Sequence, residues 1–204
     1  MPDPIRKIDL SRYAAQALAA RPELERETDP AQAAREAFSA AEMARALRGS
    51  DSDDEAAFKR RVRRLRQRVL LRTMARDLEG LADLAEVCAT TSELAELTLR
   101  AALRWLRDEE LIVVAMGKLG GGELNVSSDI DLVFVHPDLG AESAGAQKIE
   151  RTGRKLIALL SEVTEDGFAF RVDMRLRPYG DSGALVSSFD ALEAYFVKIG
   201  RAHV

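Results

Sequence analysis

The chain has 204 residues, 47% of them hydrophobic, with 30 Lys and Arg against 34 Asp and Glu for a net charge of -4. That composition buries a real core and lacks the overall basic field that nucleic acid attracts, while the single cysteine, Cys88, excludes an internal disulfide framework or a cysteine-rich zinc site. The longest apolar run, Leu111 to Met116, falls far short of the roughly 20 residues of a membrane span, and the opening MPDPIRKIDL has no apolar h-region, so a cytoplasmic protein is expected.

Residues 1–108 read as a helical region. Ser11 to Ala20 is Ala-rich and helical until Arg21-Pro22 interrupts it. Asp29-Pro30 predicts a helix start, with the helix running to Gly49 and a polar break over 50–54. Phe58, Val62, Leu65 and Val69 form one stripe of a further helix. That helix carries eight Lys or Arg between Lys59 and Arg72. No aromatic residues interleave them to stack bases, so a solvated or partner-facing helix is expected there. Thr90-x-x-Glu93 reads as a capping box opening another helix, with Leu94, Leu97, Ala101 and Trp105 on one face.

The pattern changes at Leu111. Leu111 to Met116 predicts a buried strand ended by Gly117, and Asp131 to His136 a second strand stopped by Pro137. His136 is expected at the surface. Gln147 to Val163 reads as a helix, and Phe170 to Leu176 as a third strand stopped by Pro178. In that strand Val172, Met174 and Leu176 point one way and Arg171, Asp173, Arg175 and Arg177 the other.

The same alternation puts Asp129 and Asp131 together at the start of the second strand. If the two strands are neighbours, three carboxylates converge on one sheet edge, a donor set of hard oxygens suited to one or two Mg²⁺ ions. Between the first two strands, Gly120-Gly121-Gly122 lets backbone amides approach a phosphate. The loop is neither a Walker loop nor a dinucleotide fingerprint. The order of strand, Gly-Gly loop, Ser-Asp-x-Asp and a carboxylate on a third strand is that of polymerase-beta-type nucleotidyltransferases. An α+β fold follows, a helical N-terminal region leading into a nucleotidyltransferase core over 109–197.

The run from Met116-Gly117-Lys118-Leu119-Gly120-Gly121 to Ser128-Asp129-Ile130-Asp131 resembles a signature of the glutamine synthetase adenylyltransferase/adenylyl-removing enzyme family. Phe170-Arg171-Val172-Asp173-Met174-Arg175-Leu176-Arg177-Pro178 resembles its second signature, and the similarity extends over most of residues 10–197. The resemblance implies Mg²⁺ held by Asp129, Asp131 and Asp173, which are also the expected catalytic residues. It implies nucleotide phosphates at Gly120, Gly121 and Ser128, and a phosphate nucleophile near Lys118, Arg175 or Arg177. It further implies glutamine synthetase as the protein substrate, adenine nucleotide and phosphate as co-substrates, and the PII signal protein as a partner. Asn125-Val126-Ser127-Ser128-Asp129 and Phe170-Arg171-Val172-Asp173 look more like the N-terminal unit of that family, which removes AMP by phosphorolysis. The rival expectations are the unit that attaches AMP from ATP, and a scaffold without catalysis.

The family pattern continues past Tyr195-Phe196 with Gly-Arg-x-Trp-Glu-Arg, so the core is expected to be incomplete here. The tail Lys198-Ile199-Gly200-Arg201-Ala202-His203-Val204 equals the translation of AAG-ATC-GGA-AGA-GCA-CAC-GTC, which contains the start of a sequencing adapter. Residues 198–204 are therefore expected to be non-native, although Gly200-Arg201 keeps the family register.

Overall fold

The computed structural model describes residues 6–138 and 143–201. Helices dominate and one small mixed sheet completes the α+β fold. No described helix is long and apolar enough to cross a membrane. Within the tail read as non-native, 202–204 lie outside the described residues.

Helix α1 (Arg12–Ala20) starts where the Ser11 hydroxyl accepts the Ala14 amide. The single helix expected from Asp29-Pro30 to Gly49 does not form. The Asp29 carboxylate turns back onto the Ala31 amide, 2.8 Å away, and only short turns follow as far as Arg35. Phe38 then enters the core in a non-helical segment beneath the guanidiniums of Arg72 and Arg68, 4.2 and 5.1 Å from its ring centre. Helix α2 (Ala40–Ala46) begins afresh at a capping box between Ser39 and Glu42. Burying Phe38 and satisfying that cap outweigh helix continuity.

Helix α3 (Glu55–Glu79) is capped by Asp54 and ended by Gly80 in the left-handed region. Phe58, Val62, Leu65 and Val69 are all buried, as their spacing requires. Helix α4 (Leu84–Leu106) starts well before Thr90, because Asp83 accepts the Glu86 amide at 2.8 Å and supplies the earlier cap. Thr90 is an interior helical residue. Trp105 packs on Phe58 at 5.5 Å and donates its indole N–H to the Asp53 carbonyl at 2.8 Å.

The basic run on α3 is only partly a solvated face: Arg60 and Arg64 are exposed, whereas Lys59, Arg63 and Arg72 are buried. Arg63 is fully buried and donates to four backbone carbonyls, those of Gly167 (2.8 Å), Lys59 (3.2 Å), Leu159 (3.1 Å) and Glu162 (2.5 Å). Two of these belong to the end of helix α6 (Ala144–Ser161) and its cap, where a cation meets unsatisfied carbonyls and the negative end of the helix dipole. Lys59 bridges Glu55 and Glu162 at 2.7 and 2.6 Å. Positive charge on α3 therefore fastens the helical region to the end of α6 and the loop that follows it.

Arg61 grips Asp53 through two nitrogens, at 2.6 and 2.9 Å, and these bonds hold the Asp53 carboxyl below the usual carboxylate range. A depressed folded pKa stabilises above the unfolded value and is lost as pH falls through the folded one. Asp53→Asn is expected to flatten the loss of stability below about pH 4. Acid titration followed by fluorescence of Trp105, the single tryptophan, measures that slope against the wild type.

Strand β2 (Ile130–His136) is the spine of the sheet. Strand β1 (Ile112–Met116) pairs antiparallel on one side, while β3 (Val172–Asp173) and β4 (Val186–Ser188) pair parallel on the other, opposite successive parts of β2. β1, expected to be buried, is an edge strand with Ile112 and Val114 exposed. The third strand, expected over 170–176, shrinks to two residues because the Asp173 carboxylate accepts the Arg175 amide at 2.8 Å and bends the chain. Leu176 is consequently exposed, whereas Met174 stays buried. His136 is buried, not superficial, and its Nδ1 bonds the Pro137 carbonyl.

Helix α6 lies across the sheet. A Cβ at Gly153 would stand 3.1 Å from Phe134 and 3.2 Å from Val186, so glycine permits that close crossing. One core joins Phe58 and Leu94 of the helical region to Phe134 and Leu156 of the sheet layer. Helix α7 (Phe189–Arg201) follows β4.

Candidate active site

Register brings the central carboxylates together. Asp131 on β2 stands opposite Met116 on β1 and Asp173 on β3. Alternation places Asp129 on the same face as Asp131, and Ile130 and Leu132 turn into the core with no exposure. The sheet edge thus carries three carboxylates over an apolar underside.

The turn after β1 shapes the other wall. A one-turn helix, α5 (Gly117–Gly120), begins with Gly117 at φ +52°. A Cβ there would lie 2.4 Å from Oδ2 of Asp131, and one at Gly120 would lie 2.7 Å from the Ala115 carbonyl. These two glycines let the turn fold down against the carboxylate. The expected row of free amides is absent from the rest of the loop. The amides of Gly121, Gly122 and Glu123 bond the carbonyls of Gly117, Leu119 and Lys118 at 3.1, 3.1 and 2.7 Å. Gly121 therefore closes the turn and has no free N–H for a phosphate.

Lys118 reaches across the site, its Nζ 3.4 Å from the Ser128 hydroxyl. Arg171 pairs with Asp129 and donates to the Ser127 carbonyl at 2.8 Å. Arg175 folds onto Asp173 through its backbone amide and its guanidinium. The Arg175 guanidinium and amide hold the Asp173 carboxyl below the usual carboxylate range. Arg177 serves its own turn, donating to the Met174 carbonyl at 2.9 Å and pairing with Asp181 at 3.4 Å.

The three carboxylates do not close into a finished metal cage. Among the described residues, no group of three or more His, Cys, Asp and Glu is gathered tightly enough to hold an ion. The outer two, Asp129 and Asp173, are each turned onto an arginine, and both arginines are exposed. An ion pair whose arginine is exposed is screened by solvent and weak beside the attraction of a carboxylate for a divalent ion. The donor chemistry and the shared register of Asp131 and Asp173 fit Mg²⁺ once those side chains turn back.

Of this arrangement, the sequence reading gives Gly117 no role and places Arg171 on the face of Asp173 without its partner. Gly117 is visible there only as the end of a strand, although the change of pattern at that residue marks the sharp turn. Arg171 shares the face of Asp173, and its partner Asp129 becomes apparent only when β2 and β3 are placed side by side. Gly117→Ala is expected to displace Asp131 and to lower turnover by about tenfold to a hundredfold, for a stability loss of about 1–2 kcal/mol from the left-handed backbone. Steady-state kinetics beside a thermal melt separate the two effects.

The chain matches the family model of glutamate-ammonia ligase adenylyltransferase over residues 5–202. It is similar to the bifunctional glutamine synthetase adenylyltransferase/adenylyl-removing enzyme of Chromobacterium violaceum, 45% identical over 218 residues that cover 96% of this chain and 24% of that enzyme. The enzyme of the same name from Nitrosomonas eutropha is 50% identical over 173 residues, covering 72% of this chain and 18% of its own length. That from Burkholderia mallei is 45% identical over 221 residues, covering 95% and 24%. The chain thus spans a quarter or less of the curated relatives it matches. It belongs to the glutamate-ammonia ligase adenylyltransferase family.

Proposed function

We propose that this chain carries an adenylyl-removing site, which takes AMP from adenylylated glutamine synthetase by phosphorolysis and so regulates nitrogen assimilation. The observation that supports the reading most is the shared register of Asp131 and Asp173 beside Asp129, beneath a glycine turn, in a member of this family. The direction rests on Asn125 to Asp131 and Phe170 to Asp173, which resemble the removing unit.

Asp129, Asp131 and Asp173 would hold Mg²⁺, whose contribution is to neutralise charge developing on the phosphoryl oxygens. The chain's own residues do the positioning. Gly117 and Gly120 keep the turn low enough for the AMP phosphoryl to reach Asp131. Lys118 and Ser128 face that group from the loop. Arg175 and Arg177 orient the carboxylate edge and its turn. An oxygen of inorganic phosphate attacks the AMP phosphorus, the bond to the tyrosyl oxygen breaks, and that oxygen takes up a proton. The products are ADP and unmodified glutamine synthetase. PII is the proposed signalling partner.

The test incubates the protein with adenylylated glutamine synthetase, phosphate and Mg²⁺. ADP release that is lost in Asp129→Ala is the expected result. Pyrophosphate release from ATP, with AMP gained by unmodified glutamine synthetase and no ADP formed, would favour the attaching reaction instead.

A further inference from the structure

Serine is a poor residue for a helix interior, because its hydroxyl competes for the hydrogen bonds of the backbone. Helix α4 nevertheless carries Thr90, Thr91 and Ser92 side by side, all three buried. Thr91 spends its hydroxyl within the helix, donating to the Val87 carbonyl at 2.8 Å. Ser92 turns outward instead. Its Oγ accepts the Leu124 amide at 3.2 Å, across 32 residues of sequence.

Leu124 follows the glycine turn and opens the segment that leads to Asp129 and Asp131. It is fully buried in the core it shares with Leu94 and Ala95 of α4. Its amide has no other partner among the described residues. Apolar burial sets how deep the leucine sits and is non-directional, whereas the hydrogen bond sets how its backbone is rotated. On one side of Leu124, the Glu123 amide bonds the Lys118 carbonyl at 2.7 Å, next to Gly117 and its close approach to Asp131. On the other side, the Ser128 amide bonds the Asn125 carbonyl at 3.2 Å, directly before Asp129. Leu124 is thus the joint between the glycine turn and the carboxylate edge, and the helical region holds its amide through one hydroxyl.

We propose that Ser92 is a positioning residue for the reaction at the carboxylate edge, acting through Leu124 and not on the substrate. Without the hydroxyl, the Leu124 N–H is buried with no acceptor, so the turn moves toward water to satisfy it. That movement draws the Lys118 backbone away from Asp131 and misplaces the phosphoryl group, an error that lowers turnover more than affinity. The effect on turnover rests on the phosphorolysis proposed above; the placement of the turn does not.

Amide exchange, proton–nitrogen correlation spectra and turnover, measured on Ser92→Ala, Ser92→Thr and Thr98→Val, test the proposal together. In Ser92→Ala the Leu124 amide should exchange about tenfold faster or more, and the resonances of Gly117 and Asp131, beyond the lost bond, should shift. ADP release should fall about tenfold, with the phosphate KM changed by less than about threefold. Ser92→Thr keeps the hydroxyl and should bring turnover back to within about threefold of the wild type. Thr98→Val removes another buried α4 hydroxyl, one with no partner among the described residues, and should leave every readout unchanged. If Ser92→Ala does not fold, Ser92→Cys, similar in shape and only a weak acceptor, is measured in its place with the same expectations. Gly117 and Asp131 resonances that stay in place without the hydroxyl would overturn the proposal. So would an equal loss in Thr98→Val, or a loss that Ser92→Thr does not restore. Shifted resonances in a protein whose wild type releases no ADP would sink the removing function and leave the placement of the turn standing. ADP release that is indifferent to the hydroxyl would do the reverse.

Discussion

Replacing Asp131 by asparagine is expected to lower ADP release by about a thousandfold, close to 4 kcal/mol of transition-state stabilisation, with almost no change in thermal stability. Asp131 is the central carboxylate. It sits in register with Asp173 on one side and lies against the Gly117 turn on the other. Asparagine keeps the volume and the β2 backbone but removes the negative charge and one acceptor oxygen. Asp129 and Asp173 already have arginine partners, so neither replaces the lost charge. Single-turnover kinetics with a parallel melt check both halves of the expectation. A turnover loss below tenfold in the folded variant would place the chemistry elsewhere.

The second large effect concerns stability and lies far from the carboxylate edge. Glu27 is completely buried, with Oε1 2.7 Å from Arg68 and Oε2 2.9 and 2.5 Å from two nitrogens of Arg72. Arg72 is buried as well, pressed on Phe38 and bonded to Glu42 at 3.2 Å. Glu27→Ala removes the buried acid and leaves the Arg72 guanidinium with Glu42 alone, which costs about 3–5 kcal/mol. For a domain of this size that lowers Tm by roughly 6–20 °C. Converting Glu27 and Arg72 together to apolar residues should recover much of the loss, because the desolvation penalty then disappears from both sides. Calorimetry on the single and double variants measures the difference.

The parts legible from sequence are those fixed by local chemistry. The Phe58–Val69 stripe, the Ala-rich helix ended at Arg21-Pro22 and the order of the strands follow from periodicity and turn residues, and all appear in the fold. Alternation puts the aspartates of Ser-Asp-x-Asp and Val-Asp on one edge only if their strands are neighbours, and the pairing of Asp131 with Asp173 supplies that condition for those two.

What stays hidden depends on long-range partners. Nothing local to Asp29-Pro30 says that Phe38 will leave the helix to lie under Arg72. The arginines of α3 look solvent-facing until carbonyls of α6 and the Glu27 carboxylate arrive from distant segments. The third strand is cut short by a bond from its own aspartate, a competition between side chain and sheet that strand propensity does not weigh. The edge position of β1 follows only from pairing, since its apolar run reads the same for a central strand.

The most direct measurement of the central claim follows the phosphorus atom. Adenylylated glutamine synthetase is incubated with the protein, Mg²⁺ and radiolabelled inorganic phosphate, and the nucleotide product is isolated. The account predicts ADP carrying all of the label in its β-phosphate, formed in step with loss of AMP from glutamine synthetase and abolished by Asp131→Asn. Release of unlabelled AMP, or of ADP without label, would contradict it.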